Sequence, residues 1–158
     1  MYIIGILIFL MAVIFGLVLN GVSPMQILDP ASLIVVLLPA YGAAVFAAGF
    51  KGVGQAHRAA FGKEPHVPEE SASAVSLFRL MGSVTLGVGF LGFVIGLLQI
   101  LLHLAPTPDK TMLVYIGGLG RGLAAAVLPI PYALILKYAF FEPAAVRIAR
   151  RRSTNQPE

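Results

Sequence analysis

The chain has 158 residues, 58% apolar and only 11% charged, with a mean hydropathy of +0.90. Soluble domains carry nearer a quarter charged residues, so that balance excludes an ordinary water-soluble fold. The net charge of +4 is no nucleic-acid footprint, because the basic residues do not spread over one soluble face. The absence of cysteine excludes a disulfide framework, a thiolate nucleophile and a cysteine metal site.

Four apolar runs follow in chain order, at roughly residues 2–19, 31–50, 80–102 and 112–136. The first three contain no acidic or basic side chain, and the fourth contains only Arg121. About 20 such residues span a hydrocarbon layer about 30 Å thick as a helix. In lipid, backbone groups must pair within their own segment, which favours helices. The first run has no basic residue before its apolar core and no small-x-small cleavage site after it, so it reads as a retained span. The expected fold is an all-α integral membrane protein with four transmembrane helices in a 2+2 arrangement. Residues 1–50 form a first hairpin, 51–79 a short linker, 80–141 a second hairpin and 142–158 a basic tail.

The breaks between runs set the orientation. Nine of the eleven Lys and Arg residues lie in the middle linker (Lys51, Arg58, Lys63, Arg79) or in the tail region (Lys137, Arg147, Arg150, Arg151, Arg152). The two hairpin breaks contribute only Lys110. Positive charge stays on the cytoplasmic side, which puts both termini and the linker there. Residues 51–62 read as a helical continuation of the second run. Residues 62–68 are a breaker segment with Pro65 and Pro68, and residues 69–80 are a helical lead-in to the third run. At this length the linker is too short for a separate core. The tail reads as a topology anchor with a frayed end, and its arginines also suit anionic inner-leaflet lipid.

Two stretches carry the candidate site. The third run contains Gly89, Gly92 and Gly96, whose spacing places them on one helix face where another backbone approaches closely. That face reads as helix packing or as the wall of a channel or close-packed oligomer. The fourth run opens on Gly117-Gly-Leu-Gly-Arg121-Gly122. This segment lacks the lysine and hydroxyl of a phosphate loop, and Gly118 with Gly122 repeats the small-residue spacing. Pro129 and Pro131 then interrupt the helix, as a packing kink or as a hinge facing a cavity. Arg121 lies about nine residues, or roughly 14 Å, inside the fourth run. A charge at such depth costs on the order of 2.5–3.5 kcal/mol and needs water, carbonyls or a carboxylate to offset it. No Asp or Glu lies inside a run: Asp29 and Asp109 fall in the outer breaks. A counter-charge at depth therefore comes from another subunit, unless Arg121 snorkels to the outer surface. His57, His66 and His103 show no metal-ligand spacing, and no nucleophile–base pair or paired carboxylates occur in a run. The chain is expected to be no enzyme and to need no cofactor.

These segments resemble the MotA/TolQ/ExbB proton-channel family, in layout closest to flagellar motility protein A. Gly21-Val-Ser-Pro-Met-Gln-Ile-Leu-Asp-Pro30-Ala-Ser-Leu-Ile-Val-Val is similar to that family's first outer loop and entry to its second span. Gly89-Phe-Leu-Gly92-Phe-Val-Ile-Gly96 resembles the family's Gly-x-x-Gly-Thr-Val-x-Gly signature, and residues 118–137 resemble its last span. The resemblance implies a homopentameric ring in the bacterial inner membrane. That ring would enclose a single-span partner of the MotB/ExbD/TolR kind, whose aspartate carries the proton.

The family's hydroxyls along the ion path fall at Phe93 and near Arg121 or Gly122, and the proline of motility protein A falls at Leu86. Thr85 and Ser83 are the remaining hydroxyls near the cytoplasmic end of the third span. Phe93, Arg121, Gly122 and Thr85 are therefore the expected ion-path or partner-facing residues. Gly89, Gly92, Gly96 and Gly118 are expected to pack helices, and Pro129 and Pro131 to kink one. The large cytoplasmic domain of motility protein A is reduced here to the linker, which argues against direct rotor torque. A non-conducting homo-oligomeric scaffold and a small independent transporter are the competing readings.

Overall fold

The computed structural model describes residues 2–21, 23, 25, 28–62, 68–102 and 112–154, and these are almost entirely helical. Three helices are long and apolar enough to cross a bilayer: Pro30–Phe61, Ser71–Leu102 and Ile116–Arg151. A fourth, shorter apolar helix covers Ile4–Leu19. The breaker residues 63–67 (with Lys63 and His66) and the second hairpin loop 103–111 (with His103, Asp109 and Lys110) lie outside the described residues.

Helix α1 is Tyr2–Leu19, 18 residues or about 27 Å long. It closes at Asn20, whose side-chain amide donates to Gly16 O at 2.7 Å, followed by Gly21 at φ +70°. Such left-handed backbone is the usual glycine stop. Helix α2, Pro30–Phe61, starts at an N-cap made by Asp29, which accepts from the amides of Ala31 and Ser32 at 3.1 and 3.3 Å. Pro30 takes a first-turn position, where its missing N–H goes unmissed.

Helix α2 is not one rod. Gly49 sits at φ +67°, ψ 171°, a backbone region open essentially to glycine alone. In an unbroken helix Tyr41 and His57 would stand about 24 Å apart. Here Tyr41 Oη and His57 Nε2 are 3.1 Å apart, and the two rings stack with centroids 5.8 Å apart. The chain doubles back at Gly49. Residues 30–48 form an apolar arm long enough to span, and residues 50–61 a second arm that exposes Lys51, Gln55 and Arg58 while burying Ala56, Ala59 and Ala60. The second arm is thus amphipathic, with its alanine face packed into the protein core.

Helix α3, Pro68–Leu102, runs without a break through the expected lead-in and the third apolar run, so residues 79 and 80 mark no structural boundary. Helix α4, Met112–Val127, stops at Leu128. Helix α5, Pro129–Ile135, follows, then a π-helical turn, Leu136–Phe141, and helix α6, Glu142–Thr154. The interruption at Leu128 sits where Pro129 and Pro131 each remove a donor from the ladder.

The core lies at the basic end. Both arms of α2 contribute alanines (Ala40, Ala44, Ala56, Ala59, Ala60), packed on Leu77, Phe78 and Met81 of α3. Phe141, Ala144, Ala145 and Ile148 close it from the far side. The helical parts of the linker share this core with the tail. Over the described residues α6 reaches Thr154, and Arg151 Nη1 donates to Gly62 O at 2.7 Å; the end of the tail, residues 155–158, lies outside them. Apolar residues at 144, 145 and 148 give α6 one buried stripe, which fixes the helix better than a charged tail suggests.

Candidate functional site

The third-span glycines do what their spacing predicts. A Cβ built on Gly89 would stand 2.5 Å from Ala133 Cβ and 2.9 Å from the carbonyl oxygen of Pro129. One on Gly92 would meet Pro129 Cβ at 3.1 Å, and one on Gly96 would meet Ala126 at 2.6 Å. These glycines let α3 lie directly against the Pro129 break between α4 and α5. The kink and the glycine seam are thus one feature: the bend at Pro129 seats in the groove left by Gly89 and Gly92. Dispersion contacts of this kind hold helices together where lipid removes the hydrophobic drive.

The fourth-span glycines divide. Gly122 packs, since its added Cβ would lie 3.2 Å from Ile100 Cγ1. Gly118 does not pack within the chain; it is exposed, with nothing within 4 Å of a built Cβ, and Gly117 and Gly120 are equally open. The expected packing role of Gly118 therefore finds no contact within the chain. Helix α4 leans on α3 along one side and leaves its glycine face uncovered.

Arg121 belongs to that uncovered face. It is exposed, and among the described residues its one hydrogen bond runs from Nε to the carbonyl of Gly117, 3.3 Å away on its own helix. Phe93 is half-buried, with its ring centroid 6.4 Å from that of Phe90. Thr85 is wholly buried and donates its hydroxyl to Met81 O at 2.6 Å, one turn back. The Thr85 hydroxyl is thus enclosed within the chain and spent on its own helix. Nor do these residues converge. Arg121 stands beside Gly122 at the level of Ile100, fifteen residues along α3 from Thr85, or about 22 Å.

Two contacts were not legible in the sequence. Tyr132 Oη accepts the backbone N–H of Asp29 at 2.7 Å, across 103 residues of chain. Asp29, expected in an outer loop, is thereby pinned beside the proline break, not at the far end of α4. The Ser32 hydroxyl (2.5 Å), and behind it the amides of Ala31 and Ser32, hold the Asp29 carboxyl below the usual carboxylate range. The second contact is the Tyr41–His57 pair. His57 Nδ1 donates to Val53 O at 2.9 Å, and Nε2 on the other side of the ring lies 3.1 Å from the Tyr41 hydroxyl. Phe61 and Phe78 flank the imidazole. Among the described residues no group of three His, Cys, Asp or Glu side chains is placed to hold a metal.

No family model matches this chain, and no curated protein matches it.

Proposed function

We propose that this chain is a subunit of a homo-oligomeric ion channel or motor complex in a bacterial inner membrane, enclosing a single-span partner whose aspartate carries the proton. The observation that carries the reading is Arg121. A guanidinium well inside an apolar helix, exposed on a glycine-rich face and bonded only to its own helix among the described residues, is expensive in lipid. A neighbouring subunit or an enclosed partner carboxylate offsets that cost. The open glycines at 117, 118 and 120 give such a neighbour room to come close. Only 11–22% of the most apolar stretch of each of the three long helices is buried within the chain, so most of their surface is available to other helices and lipid.

In this reading α1 is the fourth crossing, and the basic end is cytoplasmic. Residues 5, 6 and 9 of α1 lie beside Arg147, Arg150 and Arg151, and Arg151 is bonded to Gly62. The amino-terminal helix, the end of α2 and the basic tail helix thus share one end, as two hairpins require. A proton falling through a 100 mV potential releases about 2.3 kcal/mol, the energy such a complex would convert into motion.

A non-conducting scaffold is favoured by one observation, the burial of Thr85. Its hydroxyl is spent inside the subunit and Phe93 stands at the next polar position of the family path. Two measurements decide. The stoichiometry of the purified complex should be a closed ring of several copies, and a monomer at all concentrations refutes both readings. Proton flux in liposomes with a candidate partner should depend on Arg121. An Arg121→Gln variant with unchanged assembly and unchanged flux removes the channel reading.

A further inference from the structure

A groove of about 750 Å³ opens between α1 and the carboxy-terminal helices. That volume falls within the range of about 300–1,000 Å³ typical of small-molecule sites. Its α1 wall is apolar, formed by Gly5, Ile6 and Phe9, and Gly5 leaves open space where a side chain would stand. Its opposite rim carries Arg147, Arg150 and Arg151. Spacing of three and four residues puts these guanidinium groups on one face of α6. Arg151 gives one of its five N–H donors to Gly62 O, which fixes the rim against the end of α2.

We propose that this groove is a binding site for an anionic phospholipid, with the phosphodiester on the α6 arginines and an acyl chain along the α1 wall. Two features of the groove select that occupant. Planar guanidinium forks match phosphate oxygens, and basic pockets between helices at the membrane surface favour anionic headgroups. The apolar wall then demands a ligand with a hydrocarbon part, which a free phosphate lacks. The groove also lies at the end where α1 enters and the basic helix leaves, so the polar rim and the apolar wall meet at headgroup depth. The inference needs only that the chain is a membrane protein and does not depend on ion conduction.

The test uses the full chain, purified in a zwitterionic detergent, with its thermal midpoint followed during titration. Phosphatidylglycerol should raise the midpoint saturably. Phosphatidylcholine and inorganic phosphate at matched concentration should not. Arg147→Gln with Arg150→Gln should weaken the apparent affinity about fivefold per arginine, roughly thirtyfold for the pair. Ile6→Asn on the apolar wall should weaken it as well. Arg58→Gln with Arg79→Gln, exposed charges of the same end but outside the groove, should change nothing. The proposal is overturned if phosphatidylcholine or phosphate stabilises equally, or if the Arg58/Arg79 pair matters as much as the groove pair. A midpoint that rises with protein concentration and not with lipid assigns the groove to a second copy and also overturns it. Should the groove variants fail to fold, a photoreactive phosphatidylglycerol on the unmodified protein decides. Crosslinks must fall on residues 5–9 and 138–151, and crosslinks confined elsewhere refute the site.

Discussion

Replacing Gly89 by alanine should disturb the close contact of α3 with α5, and Gly118→Ala supplies the internal control. Both are glycine-to-alanine changes within a helix, and each gains about 1 kcal/mol of helix propensity. That gain cancels when the two are compared, leaving the contact. At Gly89 the new methyl would lie 2.5 Å from Ala133 Cβ and 2.9 Å from Pro129 O, against an ordinary separation of about 3.5–4.0 Å. The helices must part by roughly 1 Å, or the Pro129 bend must shift. Overpacking of this size costs about 1–3 kcal/mol. At Gly118 nothing lies within 4 Å, so the methyl meets no atom of the subunit. Unfolding free energies from detergent titration of the monomer should therefore place Gly89→Ala about 1–3 kcal/mol below Gly118→Ala. Adding Ala133→Gly removes the nearer contact and leaves the Pro129 carbonyl, so the double variant should recover part of the loss, with a measurable coupling energy. Equal stabilities for the two single variants, within about 0.5 kcal/mol, would refute the packing argument. Size-exclusion profiles of Gly118→Ala read the other half: weaker assembly with an intact monomer is expected if a neighbouring subunit uses that face.

Three further outcomes follow from local geometry. Gly49→Ala forces a residue with a Cβ into φ +67°, ψ 171° and should destabilise the fold by about 1–3 kcal/mol, with loss of proximity between spin labels on the two arms of α2. Tyr132→Phe deletes the acceptor for the Asp29 amide and should cost about 1 kcal/mol, with faster hydrogen exchange at residue 29 and little change in the α3–α5 seam. Asp29→Ala should cost about 1 kcal/mol at neutral pH through loss of the cap. Because the native carboxyl pKa is lowered, that contribution is complete above the ordinary carboxylate value of about 3.9, and it disappears as pH falls through the native value. The gap between Asp29→Ala and the parent protein should therefore close as acid titrates the native carboxyl; a gap that persists once that carboxyl is protonated contradicts the cap assignment.

The positions of the apolar helices were legible because the absence of charge over about twenty residues is a strong signal in one dimension. The end of the second run near residue 50 coincides with Gly49, and the third-span glycines pack as their spacing predicts. What escaped was tertiary. The return of α2 on itself depends on one glycine at positive φ, and glycine occurs at 17 positions in this chain, so its identity alone marks no turn. The Asp29–Tyr132 contact joins residues 103 apart and has no local signature. Thr85 was legible as a hydroxyl near the end of a span, but not as one wholly buried and bonded to its own helix. Sequence spacing fixes which residues share a face. Which of two faces is turned inward depends on the partner helix.

That distinction bears on where stability and function reside along the molecule. The buried cluster is confined to the basic end, where the arms of α2, the start of α3 and α6 meet. Farther out, among the described residues, α3 has no buried apolar side chain beyond Met81, and α4 has only Ala126. There the pair is held by the glycine seam at residues 89, 92, 96 and 122. A thin two-helix contact of this kind leaves most of α4 uncovered, and it is on α4 that Arg121 stands exposed. The basic end folds by its own core, whereas the opposite end presents surface that this chain alone does not cover. An assembled complex should therefore protect residues 116–125 from hydrogen exchange far more than it protects residues 139–148, which the subunit already buries. Equal protection of the two stretches on assembly would place the intersubunit contact elsewhere and remove Arg121 from it.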